Sequence, residues 1–111
     1  TAGFPNFFVF MGPNTELGHN SIIFMIECQA NLMMQAIDRL RKGARYLDVK
    51  PNIQNKFNDD VQEQLAKSVW ASGCQSWYIG DDGKNPTLWP SYSWKYWTET
   101  RKLKETEFEI G

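Results

Sequence analysis

The residues best placed to do chemistry lie in one loop, GPNTELGHNS from Gly12 to Ser21, and at the start of the helix it feeds. Glycine, proline, asparagine and serine in this density break regular structure and cap helices. Asn20 or Ser21 then starts a long apolar helix at Ile22. The first N–H groups of a helix have no partner within it and sit at the positive end of the helix dipole. Such a start can receive an electron-rich ligand. The same spacing also fits a capped βα unit that binds nothing. His19, the single histidine, lies in this loop; beside a cap it reads first as structural, with a general-base or redox-tuning role as the alternative.

The elements that must hold this loop can be read on either side of it. FFVFM, from Phe7 to Met11, is a continuous apolar run expected to form a strand buried on both faces. From Ile22 to about Lys42, residues Ile22, Ile26, Met33, Ile37 and Leu40 share a helical face that Ile23, Ala30 and Met34 widen. Glu27, Asn31, Gln35, Asp38 and Lys42 fall opposite, and Gly43 supplies the stop. Alternation over Tyr46–Val49 predicts a short half-buried strand, ended by Pro51, which can open the next helix. From Asn52 to Ala71, the spacing of Ile53, Phe57, Val61, Leu65 and Val69 predicts an amphipathic surface helix. Ser76–Ile79 reads as a strand followed by the turn GDDGKN. A shorter helix carrying Trp94, Trp97 and Arg101 follows Pro90, and Phe108–Ile110 is either a last strand or part of a frayed end.

Composition bounds the class. A chain of 111 residues is one domain at most, with a modest core. Its net charge of −1 gives no reason to expect nucleic acid or an anionic membrane as partner. Glu27, Asn31 and Gln35 interrupt the longest apolar stretch, so no membrane-spanning helix is expected. Cys28 and Cys74 have neither metal-ligand nor disulfide-framework spacing and read as reduced thiols of a cytoplasmic protein. Aromatic residues make up 14% of the chain, enough for a small core of large side chains or an interface with further protein. The start TAGFPNFF, without Met and close to a core-type strand, reads as a piece of a longer polypeptide.

Two long motifs stand near the two ends of the chain: Phe4–Asn6, Gly12–Thr15 and Leu17–Gln29, then Cys74, Ser76–Tyr78, Gly83, Asn85, Thr87–Pro90 and Trp94 through Trp97 to Arg101. On these the chain resembles the C-terminal segment of flavin-containing monooxygenases of the Baeyer–Villiger type. The resemblance implies an FAD- and NADPH-dependent parent enzyme. Such an enzyme inserts one oxygen atom of O2 into a ketone, or transfers it to a heteroatom, through a flavin C4a-peroxide. It further implies that residues 1–43, as strand, loop and helix, close the FAD domain, and that residues 44–111 add a helix and an aromatic-rich tail. Gly12, Asn14, Thr15, Asn20, Ser21 and Ile22 are the implied cofactor contacts, mostly through backbone. Glu27 could tune a flavin but falls on the polar face. No catalytic residue and no metal ligand is assigned.

No GxGxxG occurs, so neither dinucleotide-binding unit is in this stretch. The chain by itself is expected to be inactive and to hold neither FAD nor NADPH tightly. Its expected partners are the remainder of the parent polypeptide and further copies of itself. The fold expectation is α+β, two main helices on a few short strands, completing a Rossmann-like FAD domain in the parent. The rival reading is a free-standing aromatic-rich binding module, with Trp77, Trp89, Trp94 and Trp97 as its platform.

Overall fold

The structure, a computed structural model, describes residues 1–15, 21–67, 89 and 92–111. The described residues form an α+β arrangement of three helices and a two-stranded antiparallel sheet. Helix α1 runs Ile22–Arg41, within a residue of the expected span. Ser21 caps it, its hydroxyl accepting from the Phe24 N–H at 3.3 Å. Arg39 and Arg41 occupy the last turn, where cations oppose the helix dipole, and Gly43 leaves the helix at φ +117°. Strand β1 is Leu47–Val49. Helix α2 is Pro51–Ala66, with the proline in its first turn as its fixed φ favours. Helix α3 is Ser93–Thr100. A 3-10 turn, Glu105–Glu107, then leads into β2, Phe108–Ile110. The strands pair with Leu47 opposite Ile110 and Val49 opposite Phe108.

The core sits where the three helices meet. Met25 and Cys28 of α1, Val61 and Leu65 of α2, and Tyr96 of α3 close around Trp89, with Met11 and Phe24 packed against them. Trp89 meets the Tyr96 ring edge-on at 5.1 Å, and Phe57 stacks on its other side at 6.4 Å. Three hydrogen bonds also tie the C-terminal segment to α1. Gln35 Nε2 and Asn31 Nδ2 donate to the Arg101 carbonyl at 2.9 and 3.1 Å, and the Leu103 N–H donates to Gln35 Oε1 at 2.8 Å. Asn31 and Gln35, placed opposite the expected apolar face, therefore dock the returning chain.

Two expectations need correction. Phe7–Met11 forms no strand. A strand needs a neighbour for its backbone groups, and β1 gives its open edge to one residue instead. The Asn6 N–H donates to the Leu47 carbonyl, and the Leu47 N–H donates to Asn6 Oδ1, both at 2.9 Å. Asn6 and Met11 take φ of 60° and 51°, which turn the chain at both ends of the run, and Phe7, Val9 and Phe10 stay exposed. The buried face of α1 is also rotated from the expected one. Met25, Cys28, Gln29 and Ala36 point inward, while Ile23 is 68% and Met34 60% exposed. The strand read at Ser76–Ile79, the GDDGKN turn, Cys74, Trp77 and the Pro90 stop lie outside the described residues.

Candidate functional site

Gly12–Thr15 forms a tight turn that depends on its own residue types. Asn14 adopts φ +57°, a left-handed conformation asparagine tolerates better than most residues, and its side chain is 4% exposed. The Thr15 hydroxyl donates to the Gly12 carbonyl at 2.6 Å, closing the turn. With the Asn14 side chain buried and the Thr15 hydroxyl bonded within the turn, the polar groups left to meet a ligand are mainly backbone.

The turn is fixed to the helices through one side chain. Gln29 is 6% exposed, and its Oε1 accepts from the Met11 N–H at 3.0 Å. Its Nε2 donates to Tyr96 Oη at 3.1 Å. An N–H can only donate, so the Met11 bond fixes which way the Gln29 amide faces. Burial pushes the Tyr96 hydroxyl above its ordinary pKa, and the Gln29 hydrogen bond opposes part of that shift. Burial likewise raises the Cys28 thiol on the adjoining turn of α1, which keeps it protonated.

Ser21 and Ile22 stand at the exposed N-terminus of the same helix. From Ser21 to Gln29 the helix rises about 12 Å. Gly12, Asn14 and Thr15 thus form one group and Ser21 with Ile22 another, held on a common helix. Asn20 and His19 lie outside the described residues. Glu27 is exposed, as its place on the polar face implied. An open cleft of about 360 Å³ lies beside the turn, between α2 and α3, with Thr15, Phe57 and Tyr96 among its lining and Lys56, Glu99 and Lys104 around it. Among the described residues no cluster of His, Cys, Asp and Glu could hold a metal, and no helix is long and apolar enough to cross a membrane.

Gln29 was missing from the sequence-based site. The available signal was its place one helical turn from both Met25 and Met33, inside an otherwise apolar face. The aromatic platform also changes membership. Trp89 is 5% exposed and belongs to the core, while Trp94 and Trp97 are exposed on α3.

No family model and no solved structure matches the chain. Its sequence is similar along nearly all its length to proteins named as monooxygenases. It is 42% identical to a Baeyer–Villiger monooxygenase of Pseudomonas aeruginosa, over 99% of this chain and 21% of that protein. It is 39% identical to a Baeyer–Villiger monooxygenase of Streptomyces coelicolor, over 98% of this chain and 22% of the relative. With the FAD-binding monooxygenase ktnD of Aspergillus niger it shares 37% identity, over 94% of this chain and 18% of the relative. The chain spans about a fifth of the length of these relatives.

Proposed function

We propose that this chain, similar as it is to one segment of the Baeyer–Villiger and FAD-binding monooxygenases, is the C-terminal part of an FAD- and NADPH-dependent oxygenase. In this reading it presents the Gly12–Thr15 turn and the start of α1 to the flavin. The observation that carries the reading is the 42% identity sustained over 99% of the chain, through both the turn and the aromatic tail. Bound FAD would supply the redox and oxygen-activating chemistry. The chain's own part is electrostatic and steric. The Ser21–Ile22 turn offers helix-start N–H groups to negative charge on the ring, and Gly12, Asn14 and Thr15 offer backbone in a preset shape. Asn20 belongs to the same proposed contact set. The residues present fit such a group only in part, since the nucleotide-binding glycine motif is absent from the chain.

The exposed apolar residues support the companion proposal that further protein covers this segment. Ile23, Met34 and Ile37 on α1, and Phe4, Phe7, Val9 and Phe10 before it, leave a patch that a finished domain would bury. The remainder of the parent polypeptide is the proposed occupant, completing a Rossmann-like FAD domain around α1. The test is an assay of the complete polypeptide with NADPH, O2 and a panel of cyclic ketones, aryl ketones and thioethers. Ester, lactone or sulfoxide formation coupled to NADPH consumption is expected. NADPH oxidation that yields only hydrogen peroxide with every substrate would count against the oxygenase reading.

A further inference from the structure

Gln29 joins three parts of the molecule that are far apart in sequence. It sits inside α1, accepts from the Met11 N–H at the foot of the turn, and donates to Tyr96 of α3, 67 positions further on. Met11 is held at φ +51°, a left-handed conformation that a side chain of its size disfavours. Such a conformation persists only where its surroundings over-determine it, and the Gln29 hydrogen bond is the contact that fixes the Met11 amide. Tyr96 belongs to the buried cluster with Met25, Cys28 and Trp89, and Gln29 is itself buried. In that setting an amide that lost either partner would be left buried and unsatisfied.

We propose that Gln29 is a positioning residue, holding the Met11–Thr15 turn in the conformation that meets the flavin, with Tyr96 completing the hold from α3. This rests on the reading of the turn as a flavin contact. It makes the C-terminal helix part of the cofactor site's support, although α3 carries none of the proposed contacts. Gln29→Glu, kept protonated by burial, retains an oxygen for the Met11 N–H and an O–H to donate to Tyr96 Oη, so it preserves the hold. Gln29→Met keeps the volume and loses both bonds. Tyr96→Phe keeps the ring and strips one partner from Gln29.

The experiment measures hydrogen exchange of the peptide spanning residues 7–15, together with the visible spectrum of the bound flavin, in the complete polypeptide. Gln29→Met is expected to speed exchange of the peptide about tenfold, the scale of one lost hydrogen bond, and to shift the flavin band. Tyr96→Phe should speed exchange by less, and Gln29→Glu should match the parent in both readouts. If Gln29→Met does not fold, Tyr96→Phe against Gln29→Glu decides by the same rule, since both keep the core's shape. Unchanged exchange in Gln29→Met, or Gln29→Glu behaving like Gln29→Met, overturns the positioning role. A loosened turn with an unmoved flavin band overturns the turn as a cofactor contact and leaves the Gln29 hold standing.

Discussion

At the scale of single residues, the structure gives polar side chains more of the work than the sequence suggested. Asn6 stands in for a strand on the edge of β1, and Gln29 stands in for apolar packing at the centre of the helical core. An amide inside an apolar stretch is visible in a sequence, but its partners are not, because Met11 and Tyr96 reach it only through the fold. Asn14 and Thr15 were legible as turn formers from residue type alone. The buried Tyr96 hydroxyl makes stability depend on pH. Burial raises the folded-state pKa of this hydroxyl, so the unfolded chain releases that proton first as pH passes the ordinary phenol value of about 10. Stability from the neutral phenol is full below that pH and is lost as pH climbs through the raised folded value. Tyr96→Phe is expected to cost about 1 kcal/mol near neutrality. Its urea midpoint should then converge on that of the parent chain above pH 10, as urea melts across pH would record.

Elements were legible in proportion to how locally they are determined. The starts and stops of α1 depend on Ser21 and Gly43, and that of α2 on Pro51, each acting within a turn of its own helix. The pairing of β1 with β2 joins residues more than fifty positions apart; alternation places β1, while Phe108–Ile110 reads equally as a strand or a frayed end until its partner is known. FFVFM failed as a strand because apolar content sets preference and not partnership; the edge of β1 was already occupied by Asn6. The inward face of α1 was missed for a related reason. With apolar residues spread so widely around the helix, periodicity alone leaves the buried side undecided, and Trp89 and Tyr96 settle it by packing on Met25 and Cys28. Met25 is the most enclosed large side chain of that junction. Met25→Ala should destabilise the fold by about 2–5 kcal/mol, the range for emptying a core site of this size. A chemical denaturation curve measures it, and a cost typical of a surface position would mean the helices do not meet there.

The whole molecule exposes more surface than a compact chain of its size. Its accessible area is 7668 Å², where a compact monomer of 12.9 kDa would show about 6,300 Å². Its radius of gyration is 15.0 Å against about 13 Å for a compact domain of this length. The extents of 50 × 27 × 18 Å describe an elongated body, and many of its exposed large apolar residues lie on α1 and the phenylalanine-rich segment before it. Such a surface associates unless something covers it. Light scattering of the isolated chain at tens of micromolar, roughly the range for contacts of this kind, should find dimers or larger species. Ile23→Lys combined with Ile37→Lys should shift them toward monomer, and a parent chain already monomeric there would contradict the uncovered-face account. If this segment belongs to a flavoenzyme, the complete polypeptide purified from its natural reading frame carries FAD. Close to one FAD released per chain on denaturation is the predicted result; a folded, complete polypeptide that carries no flavin and takes none up from added FAD would contradict it.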